Sequence, residues 1–274
     1  MVLQDTPAQT VPVLADFRVV RLIGEGNHGK FYLAYPPARL GIDDEFVAVK
    51  VFAGQVGEDA YRRGTRELRA FAAVDSPYLA RVYDAVLEDN FLYAMEYFPL
   101  GSLDSPAREL SHAEKIQALH DAALAVHELH EHGLVHGDVK PANIMFDGTG
   151  GKLSDLGLVR TLKSESTVTS FAPAMSVAVE FIDPELLQGA LPSRATDIWA
   201  LGATINRALT GDGLYGKLPA GQPLVAIRAV MSGSATVSSK LTDGEARLVR
   251  ECLAPAENRP PTAAAVAERL AALK

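Results

Sequence analysis

The chain has 274 residues, 48% of them hydrophobic and 22% charged, with a net charge of −8. That is apolar material for one large domain or two small lobes, and the acidic balance argues against a nucleic-acid-binding face. No run approaches the ~20 apolar residues of a membrane-spanning helix, and Met1–Ala15 lacks the basic segment and apolar block of a secretory signal. The one cysteine, Cys252, has no internal partner for a disulfide. It lies in an apolar helical pattern and reads as a buried core thiol in a reducing, cytoplasmic compartment. Abundant alanine and an excess of arginine over lysine hint at a bacterial source.

Residues 1–15 are polar and interrupted by proline, the composition of a flexible tail. Phe17–Ile23 is rich in β-branched and aromatic residues and reads as a strand. It runs into Gly24-Glu25-Gly26-Asn27-His28-Gly29, and a second strand, Lys30–Ala34, follows. A glycine-rich turn between two strands is a hairpin. That disfavours the dinucleotide-binding fingerprint, which must open a helix. Its glycines allow tight bending and close approach to phosphate oxygens; taken alone it is equally a plain turn. The strand Glu45–Phe52 carries Lys50 among apolar neighbours. Its ammonium either snorkels from an edge strand or lies under phosphates. Residues 58–74 have helical spacing of Tyr61, Leu68, Phe71 and Ala72. Glu67 on that helix is the acid best placed to pair with Lys50. Strands at 79–87 and 91–97 flank a turn at Glu88-Asp89-Asn90.

Gly101-Ser102 marks a boundary, beyond which the chain is mostly helical. A strand-rich first third and a helix-rich remainder predict an α+β arrangement of two lobes. The helix over 111–133 starts with a capping box, Ser111 and Glu114. Its His127 and His130 are one turn apart, but without an H-E-x-x-H pattern they read as ordinary histidines rather than metal ligands. Next comes His136-Gly137-Asp138-Val139-Lys140-Pro141-Ala142-Asn143, a loop before the short strand Ile144–Phe146. In it Asp138 can accept a proton, Lys140 can hold a phosphate and Asn143 can bind a hard cation through its amide oxygen. The turn and strand at 150–154 lead to Asp155-Leu156-Gly157, a carboxylate at a strand end followed by a hinge. It is either a Mg²⁺ ligand or a simple turn. Residues 160–176 are rich in Ser and Thr and read as a loop, phosphorylated or an unmodified linker. Asp183-Pro184-Glu185 opens a short helix. An apolar helix runs from Asp197 to about Leu209 with Trp199 in the core, and Asp197 within it needs a partner. Amphipathic helices follow near 223–232, 242–253 and 262–273.

Together these residues resemble the protein kinase family over roughly residues 16–273. The ordered set is G-x-G-x-x-G, V-A-V-K, a helix Glu, M-E-Y, H-G-D-V-K-P-A-N, D-L-G, D-P-E, D-I-W-A-L-G and N-R-P, and that order is far more specific than any one member. The resemblance implies a bilobal α+β fold: a tail (1–15) and a kinase domain (16–274) with a small β-rich N-lobe (16–97) and a larger α-helical C-lobe (101–274). It implies ATP, covered by the Gly24, Gly26 and Gly29 hairpin and lined by Ile23, Phe31, Ala48, Met95 as gatekeeper, Glu96, Phe98 and Met145. It implies that Lys50 holds the α/β-phosphates and pairs with Glu67, and that Asp138 is the catalytic base with Lys140 on the γ-phosphate. Asn143 and Asp155 would then hold Mg²⁺, with Mn²⁺ as an alternative ion. Phe71, Val82, His136 and Leu156 would form a column resting on Asp197, and Glu185 would pair with Arg259. Lys140, two residues past Asp138, is similar to the Ser/Thr branch, so the implied partner is a protein substrate with Ser or Thr, with neither nucleic acid nor a membrane span.

Four positions depart from the family pattern. Gly137 stands where an Arg usually precedes the catalytic Asp, so loop phosphorylation is not expected to be the switch. Leu156 replaces the Phe of D-F-G. Phe31 replaces a Val and should crowd the adenine pocket or stack on the base. Ala178 and Val177 replace the usual Thr and Gly before Pro184, with Ser176 or Thr169 as stand-ins. The alternatives are a nucleotide-binding pseudokinase scaffold and a small-molecule phosphotransferase of the aminoglycoside or choline type, which shares H-G-D and a following Asn.

Overall fold

The computed structural model describes residues 13–26, 29–52, 65–66, 68–87, 91–155, 160–161, 179–219 and 222–273. These divide between two compact units, the first drawn from Met1–Tyr61 and Arg81–Tyr97, the second from Arg62–Ala80 and Phe98–Lys274. Glu67, Leu156, Val177, Ala178, Ser176 and Thr169 lie outside the described residues, as does most of the 160–176 loop.

The first unit is an antiparallel sheet. Its strands are β1 (Val13–Leu14), β2 (Phe17–Gly26), β3 (Gly29–Tyr35), β4 (Val47–Phe52), β5 (Val82–Leu87) and β6 (Phe91–Glu96), in the order β1-β2-β3-β4-β6-β5. Strand side chains alternate between faces. Val47 and Val49 join Phe17, Ala34, Leu92 and Ala94 in one buried cluster, and Ala48, Lys50 and Phe52 therefore take the other face. The glycine-rich segment is the β2–β3 hairpin, with Gly26 opposite Gly29. Gly29 sits at φ 145°, and a Cβ on it would lie 1.9 Å from the Val51 carbonyl oxygen, so only glycine fits there. Irregularities between Val19 and Arg21 and between Leu22 and Gly24 add local twist beside it.

The second unit is built on helix α1 (His112–Glu131), and the Ser111–Glu114 capping box closes as expected. Ile116, Leu119, Ala122, Ala123, Val126 and Leu129 are fully buried. This helix packs on the hairpin of β8 (Ile144–Phe146) and β9 (Gly151–Leu153), on α3 (Arg194–Thr210) and on α6 (Ala263–Ala271). Between α1 and β8 lie β7 (Leu134–Val135), paired with β10 (Arg160–Thr161), and a 3-10 turn, Pro141–Asn143. The short helix α2 (Pro184–Leu187), α4 (Pro223–Ser232) and α5 (Asp243–Cys252) complete it. Trp199 and Cys252 are core residues, and burial pushes the Cys252 thiol up to about 12.

The strand expected over 79–87 begins only at Val82. Leu153 takes the preceding residues: its N–H donates to the Tyr78 carbonyl (2.8 Å), and its own carbonyl accepts from Ala80 N–H (3.0 Å). That pairing lies within the second unit, which takes in Arg62–Ala80, whereas the family resemblance assigns 16–97 to the N-lobe. Among the described residues, no helix is long and apolar enough to cross a membrane.

Candidate active site

The loop 136–143 is held from beneath by one carboxylate. Asp197 projects from the first turn of α3 and is 1% exposed. Its Oδ2 accepts from the His136 N–H (2.8 Å) and from His130 Nε2 (2.9 Å), and its Oδ1 accepts from the Gly137 N–H (2.8 Å). The partner that a carboxylate in an apolar helix requires is thus mainly the loop backbone. His130 serves this carboxylate rather than a metal with His127. The Thr204 hydroxyl, two turns further along α3, donates to the Val139 carbonyl (3.2 Å). Gly137 has φ 73°, a conformation that costs an L-residue about 1–2 kcal/mol. Glycine removes that cost at the position where the family usually carries Arg.

Above this base, three predicted residues come together. Asp138 Oδ2 accepts from Lys140 Nζ at 2.6 Å and from Asn143 Nδ2 at 2.9 Å. Asn143 Nδ2 also donates to the Asp138 carbonyl (2.8 Å). Both amide-nitrogen bonds run toward Asp138, which leaves the amide oxygen as the atom suited to a cation. Asp138 and Lys140 are largely but not wholly buried, so the charge-assisted pair is strong while its acceptor stays reachable.

Asp155 is tied to the loop through Ser154, which sequence reasoning missed. The Asn143 carbonyl accepts from the Ser154 N–H (2.8 Å) and from its hydroxyl (3.1 Å). The Asp138 N–H donates to His136 Nδ1 (3.2 Å), which leaves His136 Nε2–H to donate to the Ser154 carbonyl (3.2 Å). Asp155 is half-buried with φ 70°. That left-handed backbone is uncommon outside glycine, although Asp tolerates it better than most. The only sequence signal for Ser154 is a polar residue at a strand end just before a candidate metal ligand.

The turn of the β8–β9 hairpin is closed by Asp147. Burial pushes its carboxyl up, but the N–H groups of Thr149 and Gly150 and the Thr149 hydroxyl outweigh that and hold it below the usual range.

In the sheet unit, Lys50 is 1% exposed. Its Nζ lies 5.1 Å from the ring centroid of Phe31, 5.2 Å from that of Phe52 and 5.9 Å from that of Tyr93. Phe31, expected to meet adenine, spreads its ring over the Lys50 ammonium. Ala48 and Met95 are buried and paired across β4 and β6, while Ile23 and Gly24 are half-buried on β2. The Glu96 N–H donates to the Arg81 carbonyl (2.9 Å) within the sheet. In the second unit, Phe98 is buried under Lys152 Nζ (5.9 Å to its centroid), and Met145 is half-buried on β8.

The expected Glu185–Arg259 pair forms, and a second carboxylate shares the guanidinium. Arg259 is buried and divided between two carboxylates: Nη1 meets Asp183 Oδ2 at 2.5 Å and Nη2 meets Glu185 Oε1 at 3.3 Å. Asp183 is 1% exposed and Glu185 43%, so Asp183 is the main buried partner. The D-P-E triplet carried that signal: a second acid two residues before Glu185. Arg259 also donates to the Ala254 and Ala195 carbonyls (2.7 and 2.9 Å), which joins the start of α3 to the turn after α5.

Comparison with known proteins finds the family described as "Protein kinase domain" matching residues 17–269. The serine/threonine-protein kinase PknB of Mycobacterium leprae is 30% identical over 215 residues, 74% of this chain and 34% of that protein. PrkC of Bacillus subtilis is 30% identical over 202 residues, 71% of this chain and 30% of that protein. PknK of Mycobacterium tuberculosis is 30% identical over 266 residues, 93% of this chain and 23% of that protein. The chain thus spans about a third or less of the length of these relatives.

Proposed function

The chain belongs to the protein kinase domain family, whose members use ATP and a divalent metal, and on that premise we propose that it is a Mg²⁺-dependent Ser/Thr protein kinase. The observation that carries the proposal is the convergence of Lys140 Nζ and Asn143 Nδ2 on one oxygen of Asp138. Phosphoryl transfer needs little covalent chemistry from the protein. It needs negative charge neutralised and two reactants held in line.

Asp138 receives the substrate hydroxyl, orients it and takes its proton as the oxygen attacks. Lys140 shares Asp138's oxygen and would supply positive charge to the transferring phosphoryl group. The family resemblance gives Lys50 the α/β-phosphates and assigns Glu67 as its acid, which lies outside the described residues. Asn143 and Asp155 supply hard oxygen donors, the chemistry that suits Mg²⁺. Bound there, it neutralises developing charge on the phosphates. The relatives named as Ser/Thr kinases support a hydroxyl of Ser or Thr in a protein as acceptor.

Incubation with labelled ATP and Mg²⁺, alone and with a generic basic protein, tests the reading beside Asp155→Ala. Label on protein that disappears in the variant supports it. Nucleotide binding without transfer makes the chain a scaffold, and transfer only to small metabolites makes it a small-molecule kinase.

A further inference from the structure

Ser154 follows β9 directly, precedes Asp155 in the chain and meets Asn143 at the open end of the β8–β9 hairpin. It is 4% exposed, and all three of its polar groups are engaged. Its N–H (2.8 Å) and its hydroxyl (3.1 Å) donate to one oxygen, the Asn143 carbonyl. Its own carbonyl accepts from His136 Nε2–H (3.2 Å). A carbonyl oxygen has two lone pairs and can take both donors. Any residue but proline could supply the N–H bond. The hydroxyl bond comes from the side chain alone.

A single hydrogen bond leaves the joined segments free to pivot about its axis. A second donor from the same residue, arriving at another angle, removes that pivot. The Ser154–Asp155 peptide is then held through Asn143 on one side and at its carbonyl by His136. Asp155 follows at φ 70°, a conformation that persists only where the surroundings over-determine it. With that planar peptide and φ fixed, the direction of the Asp155 Cα–Cβ bond is fixed too. Asn143 is held at its own end, because its Nδ2 donates to the Asp138 carbonyl (2.8 Å) and to Asp138 Oδ2 (2.9 Å). We propose that Ser154 is a positioning residue whose hydroxyl sets the separation of Asn143 and Asp155, and through it the affinity for a divalent cation bound between them. Ser154 needs no contact with the ion to do this. Groups that orient metal ligands commonly change metal affinity by roughly 10–100-fold when removed. The inference rests on Asn143 and Asp155 as the metal ligands of the proposed kinase, and it adds a residue that acts through both.

Titration calorimetry on the full chain tests it, with AMP-PNP, a non-hydrolysable ATP analogue, in excess Mn²⁺ or in EDTA. Ser154→Thr and Ser154→Val have the same shape and differ in the hydroxyl. Ser154→Thr should bind the Mn²⁺ complex like wild type, and Ser154→Val about tenfold more weakly, the lower end of the range for such a partner. Metal-free AMP-PNP should bind both alike. Ser154→Ala, which leaves the Asn143 carbonyl its amide donor, should match Ser154→Val. Equal affinity of Ser154→Thr and Ser154→Val for the Mn²⁺ complex overturns the inference. So does a loss in Ser154→Val that is equally large in EDTA, which would make the hydroxyl a general fold contact. Asp155→Ala separates this result from the functional reading. If Asp155→Ala binds the Mn²⁺ complex as wild type does, the metal assignment falls and the Ser154 role with it. If it binds weakly while Ser154→Thr and Ser154→Val stay equal, only the Ser154 role falls.

Discussion

The two units hold their cations by different physics. In the sheet, Lys50 is placed by register: strand pairing sets Phe31 and Tyr93 on either side, and alternation sets Phe52 on the same face. In the helical unit, Asp138 and Lys140 sit on a loop with no ladder to fix it. Their position comes from a convergent hydrogen-bond set on Asp197, Thr204 and Ser154. Register distributes its restraint along whole strands, so a single substitution perturbs it little. A convergent network concentrates its restraint on one atom or one side chain and is fragile there.

The largest effect that follows concerns the loop. Asp138→Asn should lower kcat by about 10²–10⁴-fold with ATP affinity retained, read by steady-state transfer and nucleotide titration. Wild-type kcat in that variant removes Asp138 from the mechanism. Asp197→Ala leaves the His136 and Gly137 N–H groups and His130 without their acceptor. It should cost about 3–5 kcal/mol, the range for breaking a buried charged network. Denaturant unfolding measures it, and faster hydrogen exchange at His136 and Gly137 would locate the damage in the loop. A change confined to the sheet amides breaks the contrast between the units.

The same logic ranks the two partners of Arg259. Asp183→Ala should approach 3–5 kcal/mol because it strands a buried guanidinium, whereas Glu185→Ala should cost about 1 kcal/mol or less because its carboxylate is solvated. Equal losses in chemical denaturation, or a reversed order, would make Glu185 the principal counter-charge of Arg259 instead of Asp183. Gly137→Ala should destabilise by about 1–2 kcal/mol through its positive φ, with kcat falling more than nucleotide affinity, since the strain lies next to Asp138.

The smallest effect is at the surface. Arg108 chiefly, with the Ser111 N–H and hydroxyl, lowers Glu114 from its ordinary 4.5 to about 2. A depressed carboxylate stabilises the fold above its unfolded value and loses that contribution as pH falls through its folded one. Glu114→Gln should therefore lower Tm slightly at pH 7, and the gap to wild type should shrink from pH 4.5 downward and close near pH 2. A gap that persists at pH 2 would assign the effect to helix capping alone.

Much of the fold was legible because it is local. The α1 capping box, the β2–β3 glycine hairpin and the ends of α4, α5 and α6 are written in adjacent residues, where propensity and hydrogen bonding act over a few positions. Asp138, Lys140 and Asn143 were legible for the same reason: six consecutive residues of one loop bring them together. Strand β5 was read too long because Leu79 and Ala80 look like strand residues. What claims them is Leu153, more than seventy positions away in sequence.

From the residues alone came the order of elements, the kinase resemblance and the identity of the loop chemistry, since each depends on spacing within a segment. Folding in three dimensions decided the partners: Asp197 beneath the loop, Ser154 linking Asn143 to His136, Asp183 rather than Glu185 as the main counter-charge of Arg259, and aromatic rings around Lys50. Those pairings join positions tens of residues apart, and which buried polar group finds which partner is settled only when desolvation forces each to be satisfied.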